Sequence, residues 1–75
     1  MTSNEVKIAV LNRALFRSNC TAHDVKRSEE KGYLTEELYG GLPVYWYCDD
    51  DGFQAAAYAD SGEFLSDEDI ENLSE

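Results

Sequence analysis

Leu42-Pro43-Val44-Tyr45-Trp46-Tyr47-Cys48, then Asp49-Asp50-Asp51-Gly52, then Phe53-Gln54-Ala55-Ala56-Ala57-Tyr58, is the stretch that decides the fold of this 75-residue chain. Val44, Trp46 and Cys48 alternate with Tyr45 and Tyr47, a period of two that suits a pleated strand and no helix. The aspartates and Gly52 supply turn chemistry, with a glycine able to take positive φ. Pairing Cys48 with Phe53 across a four-residue loop sets Trp46 opposite Ala55 and Val44 opposite Ala57, an apolar face of large against small. The other face then presents Tyr45, Tyr47, Gln54, Ala56 and Tyr58 to solvent. A second turn at Ser61-Gly62 returns the chain through Glu63-Phe64-Leu65, with Phe64 near Ala59 on the Trp46 side, and completes a three-stranded antiparallel meander.

Upstream the period is helical. Thr2 with Glu5 three residues on forms a capping box, and Ile8, Leu11 and Leu15, with Ala14 beside them, mark one face of a helix over about residues 3 to 18. Val6, Val10 and Phe16 fall outside that stripe, so the apolar arc is broad. Asn19 or Thr21 caps a second, mostly polar helix that starts Thr-x-x-Asp, stops at Gly32 and turns only Ala22 and Val25 inward. Thr35-Glu36-Glu37-Leu38-Tyr39-Gly40 reads as one more capped helical turn, ended by Gly40-Gly41. Downstream, Ser66 caps a short last helix with Asp67, Glu68 and Asp69 in its first turn, anchored by Ile70 and Leu73. The expected architecture is one α+β domain over residues 1 to 75, N-terminal helices packed on the Trp46 face of the meander, with a short C-terminal helix. A winged-helix topology is the alternative.

Charge is the second signal. Up to Lys31 the chain holds six bases against four acids; the 44 residues that follow carry twelve carboxylates and no lysine or arginine, for a net charge of −10. Blocks of like charge usually mark disordered tails. Here the acidic part also holds Tyr33, Tyr39, Tyr45, Trp46, Tyr47, Phe53, Tyr58 and Phe64, eight of the nine aromatics, whose burial offsets the entropy of ordering a chain. It is therefore expected to be folded and acidic at once. Such a charge repels the phosphate backbone that supplies most of the energy of DNA binding, so direct nucleic-acid binding is disfavoured. No apolar run reaches the roughly 20 residues of a membrane span, and the opening residues lack a signal peptide's pattern, so a cytoplasmic location with Cys20 and Cys48 reduced is expected.

A catalytic reading finds little purchase. His23 follows Cys20 by three residues, but no third group is placed to orient a base, and no nucleophile elbow or phosphate-cradling glycine loop is present. The run Asp49-Asp50-Asp51-Gly52 does not have the alternate spacing of an EF-hand loop, whose twelfth position would fall on Asp60. No catalytic, cofactor-binding or metal-ligating residue is therefore expected, and the chain is read as no enzyme.

Length, an acidic run through Glu36-Glu37, Asp49-Asp50-Asp51, Asp60, Glu63 and Asp67-Glu68-Asp69-Glu71, and tyrosines expected on the surface together resemble the small acidic anti-defence proteins of phages and mobile elements, the anti-CRISPR proteins and the DNA-mimic inhibitors of restriction enzymes. The resemblance spans the whole chain and contains no diagnostic motif. It implies stoichiometric inhibition without chemistry or cofactor: a negatively charged DNA mimic blocks the DNA-binding surface of a host defence complex such as a type I-C surveillance complex. The chain would act as a monomer or homodimer in the host bacterial cytoplasm. The partner-binding residues would be Asp49, Asp50, Asp51, Asp60, Glu63, Asp67, Glu68, Asp69 and Glu71, with Tyr45, Tyr47 and Tyr58. Two other readings stand beside it: an antitoxin-like regulatory or adaptor module binding through its tyrosine face, and a solvated domain whose charge only keeps it soluble.

Overall fold

The structure, a computed structural model, describes residues 2–73. Its elements run α1 (Ser3–Leu15), α2 (Ala22–Glu30), β1 (Leu34–Tyr39), β2 (Leu42–Cys48), β3 (Gln54–Tyr58) and α3 (Asp67–Leu73). The strands form an antiparallel sheet in the order β1-β2-β3. Helices α1 and α2 cover one face and α3 lies on the other, an α+β domain as expected.

Local signals place the helices. Thr2 accepts from the Glu5 backbone N–H to start α1, and Thr21 with Asp24 closes a full capping box on α2. Helix α1 stops three residues short of the expected end. Phe16 takes the left-handed conformation at φ 55°, and the Arg17 N–H returns to the Asn12 carbonyl. In α3, Ser66 accepts from the Asp69 N–H at 3.3 Å, the cap expected from the sequence.

The stretch Thr35–Tyr39, expected as a helical turn, belongs to strand β1. Residues 34 to 39 pair along the length of β2, and Gly40 and Gly41 with positive φ make the hairpin turn. The meander is therefore built one strand earlier than expected. Glu63-Phe64-Leu65 contributes only a single bridge, between Phe64 and Ala57, and is not a full strand.

The β2–β3 register also differs by one residue. Cys48 pairs with Gln54, Trp46 with Ala56 and Tyr45 with Ala57, so the loop has five residues, Asp49 to Phe53. Asp49 is the physical reason. Its Oδ1 accepts from the backbone N–H groups of Asp51 and Phe53, each at 3.0 Å, and its own N–H donates to the Phe53 carbonyl. This side-chain turn admits Phe53 into the loop, and Gly52 at φ 89° closes it.

A one-residue slip changes which β2 residues share a face with the alanines. Ala55 and Ala57 do receive α1 closely, but between Tyr45 and Tyr47, and Trp46 lies on the opposite face. Val6, Val10, Leu11 and Ala14 of α1 insert there, with Val25 and Leu34 completing the cluster. Val6 and Val10, left outside the expected stripe, are completely buried, whereas Ile8 and Leu15 are half-buried at its margin. Phe64 joins this cluster, with the Arg13 guanidinium 4.5 Å above its ring. On the other face Val44, Ala56, Leu65 and Ile70 form a smaller core, flanked by Tyr39, Trp46, Tyr58 and Leu73.

Tyr45 and Tyr47, expected on the surface, are thus core residues, 8% and 4% exposed. A hydrogen bond serves each hydroxyl: Tyr45 shares one with Ser3 Oγ at 2.6 Å, and Tyr47 donates to Asp49 Oδ2 at 2.8 Å. A tyrosine can sit inside when its ring is covered and its oxygen is paired. Tyr47→Ala should therefore destabilise the domain by about 3–5 kcal/mol, the usual cost of deleting a large buried ring. Leu38→Ala, at a side chain that is 72% exposed, should change stability by less than about 0.5 kcal/mol. Thermal melts of the two variants compare them, and equal effects would contradict the observed register.

Candidate functional site

The charge pattern becomes an arrangement in space once the layers are known. All six bases belong to α1, α2 or the residues that end them, on one face of the sheet. Among the described residues, the carboxylates after residue 31 lie on β1, on the loops at the sheet's two ends and on α3. Asp49, Asp50 and Asp51 occupy the β2–β3 loop, and Asp60 and Glu63 follow β3 at the opposite end. A seven-residue strand separates these ends, about 20 Å at roughly 3.3 Å per residue. They do not form one cluster.

Near the β3 exit, Asp60 and Glu63 border a recess with Leu42, Pro43 and Tyr58. Tyr58 is half-buried. It is the one of the three expected contact tyrosines that keeps a share of the surface. Across the second face, Asp67 and Glu71 line a recess with Gln54 and Ile70.

Two of the nine expected acidic contacts are committed to the fold. Asp49 accepts the two loop N–H groups and the Tyr47 hydroxyl. Asp69 accepts from the Tyr39 hydroxyl at 2.7 Å and the Ser66 hydroxyl at 3.1 Å, which ties α3 to β1. Asn72 donates to the same Tyr39 oxygen at 3.3 Å. Asp50 accepts from Tyr33 at 3.1 Å but remains exposed. Asp51, Asp60, Glu63, Asp67 and Glu68 are exposed as well. Among the described residues the ion pair seen is Lys7 to Glu29, at 3.0 Å on the helical side, and no base comes within ion-pairing range of these exposed carboxylates. Glu36 and Glu37, also exposed on β1, extend the acidic surface beyond the residues proposed from the sequence. They stand in the acidic run of the sequence but not among its expected contact residues, since the sequence reads as a helical turn there.

The electrostatics follow from these partners. The Tyr39 hydroxyl, with Ser66, holds the Asp69 carboxyl below the usual carboxylate range, and the Thr21 backbone N–H does the same for Asp24. Burial, reinforced by the Asp49 carboxylate, pushes the Tyr47 phenol far above the tyrosine range. Burial also raises the Cys20 thiol, against the pull of Arg17, which disfavours the thiolate a nucleophile would need. His23 is exposed, both cysteines are free, and no three His, Cys, Asp or Glu side chains converge as a metal site among the described residues. No helix among them is long and apolar enough to cross a membrane.

Comparison of the chain with protein-family models, with curated proteins and with solved structures finds no match in any of the three.

Two tests follow from the committed carboxylates. Asp49→Ala removes the acceptor of three hydrogen bonds and should cost about 1–3 kcal/mol, whereas Asp51→Ala should cost under about 0.5 kcal/mol. Denaturant unfolding of both variants separates a structural aspartate from a surface one; equal midpoints would deny Asp49 its role. Asp24 and Asp69 have carboxyl pKa values lower in the fold than in the unfolded chain, so the unfolded chain takes up protons first. Their stabilisation is complete above about pH 4 and is lost as the pH falls below it. Melting temperatures measured from pH 6 to pH 3 should fall less for Asp69→Asn than for the parent. A parallel decline would remove Asp69 from the account.

Proposed function

We propose that the chain is a non-catalytic inhibitor that presents a fixed acidic surface to the cationic, nucleic-acid-binding surface of a host defence complex. The observation that carries this reading is the sidedness of the charge. Asp50, Asp51, Asp60, Glu63, Asp67 and Glu68 are exposed at both ends of the sheet and in the first turn of α3 with no base in ion-pairing range among the described residues, while the bases are gathered on the helical layer across the sheet. A rigid array differs from an acidic tail because its charges arrive already positioned, and less conformational entropy is lost on binding. The two acidic ends, about 20 Å apart, span about six steps of a DNA strand at roughly 3.4 Å per phosphate. A groove built for a phosphate backbone is attracted to either set of anions.

The target class is a nucleic-acid-targeting effector, with a type I-C surveillance complex as the first to try, in the bacterial cytoplasm. The reading assigns contact to Asp50, Asp51, Asp60, Glu63, Asp67, Glu68 and Glu71, and assigns support to Asp49 and Asp69. Burial of Tyr45 and Tyr47 removes the tyrosine face on which the adaptor alternative rested, which favours the acidic surface.

The experiment is competition with target duplex for a purified effector complex. The paired variants Asp50→Asn/Asp51→Asn, Asp60→Asn/Glu63→Gln and Asp67→Asn/Glu68→Gln should remain folded, and at least one pair should displace DNA about tenfold less well. Binding by the parent should weaken steeply with salt, since the exposed charges are screened within about 10 Å at 0.1 M ionic strength. His23→Ala should inhibit like the parent. If all three pairs compete undiminished, or if salt has no effect, the surface is not a mimic.

A further inference from the structure

In a chain with only six bases, three converge on one recess. Arg17, just beyond α1, and Arg27 and Lys31 of α2 and its cap line a space of 230 Å³ together with Asp24, Ser28 and Tyr33. None of the three cations has a carboxylate within ion-pairing distance among the described residues. Lys31 rests 5.9 Å from the Tyr33 ring centre. The negative end of the α2 dipole favours Arg27 and Lys31 where they stand. Arg17, just past the C-cap of α1, is favoured by the negative end of that helix in the same way, so two helix C-termini bring their cations to one recess. All three side chains are exposed, so solvent screens their mutual repulsion, and an anion entering the concavity would be attracted to all three at once, whereas Lys7 is already paired with Glu29.

We propose that this recess is a binding site for the phosphoryl group of a small ligand. Two guanidinium forks and an ammonium match the several oxygens and double charge of a phosphate better than a single carboxylate. Ser28 adds a hydroxyl donor to the lining. The Tyr33 hydroxyl already donates to Asp50. Asp24, engaged in the Thr21 cap, is the one carboxylate in the lining, and it reduces the field without cancelling it. At about 30 Å³ per water molecule the space takes several waters, enough for a phosphoryl group and the start of its ester substituent. The site lies on the helical side of the molecule, and Tyr33 and Tyr47 in its lining join it to the Asp49–Asp51 loop at the edge of the acidic surface proposed above.

The test is a titration of the intact chain with sodium phosphate, at ionic strength held constant with sodium chloride, followed by amide NMR. Saturable shifts are expected at Arg17, Ser28, Lys31 and Tyr33, and not in chloride alone. Arg17→Gln/Arg27→Gln should weaken binding about tenfold or more, as the loss of charge-assisted hydrogen bonds does, and Lys31→Gln supplies a single-site check should the double variant unfold. Asp24→Asn, which keeps the capping oxygen and removes the opposing charge, should tighten it. Phosphoserine and a nucleoside monophosphate, titrated in the same way, distinguish an ester from free phosphate by which saturates first. Shifts that fail to saturate, or that persist undiminished in Lys31→Gln and the double variant, would overturn the site. Inhibition of an effector plays no part in this readout.

Discussion

Asp49 fixes the loop on which the register of β2 against β3 depends. By accepting two loop N–H groups it makes the β2–β3 connection five residues long, and loop length sets the register. Register decides that Ala55 and Ala57 lie beside Tyr45 and Tyr47, and this small-between-large surface is what α1 packs into. The same carboxylate then satisfies the Tyr47 hydroxyl, which allows that ring inside. One aspartate links loop, register and core, so its charge belongs to the fold before it belongs to the surface.

The acidic half accordingly divides into two populations with different physics. Asp49 and Asp69 are acceptors for neighbouring hydroxyls and backbone, bonded where a base would otherwise be needed to hold them. The remaining exposed carboxylates of the loops and of α3's first turn are held in place by the rigid elements beneath them while pairing with no base among the described residues. Tyrosine hydroxyls thus do in this protein what lysines and arginines do in most: they give carboxylates a partner without adding positive charge. The result is a domain that folds while keeping most of these carboxylates exposed, on β1, at both ends of the sheet and on α3.

How much of this was legible from the residues depended on how local the cause was. The caps at Thr2, Thr21 and Ser66 and the period-two stretch from Leu42 act within a few residues, and each element they announce is present. Strand β1 was not legible, because Glu36, Glu37 and Leu38 favour a helix locally and become strand through pairing with β2. Trp46 and Tyr47 exchanged places because alternation identifies two faces without saying which is covered; the answer lay in a side-chain hydrogen bond of Asp49. Of the candidate site, the carboxylates were legible as charge. Their division into structural and surface groups was not, since it depends on contacts such as Tyr39 with Asp69, 30 residues apart. The convergence of Arg17, Arg27 and Lys31 is likewise a product of how α1 meets α2.

Strand β1 closes one side of the sheet, with β2 as its only neighbour in the sheet, so its outer backbone groups form a free edge. Edges of this kind invite strands from other copies to add on and propagate into aggregates. Here Glu36 and Glu37 stand exposed in the middle of that edge, flanked by Leu38, which is 72% exposed. Two such edges brought together antiparallel would set carboxylate against carboxylate across the new ladder, an arrangement that destabilises strand pairs. The two glutamates thus disfavour edge-to-edge pairing on a small sheet that carries an exposed leucine on its rim.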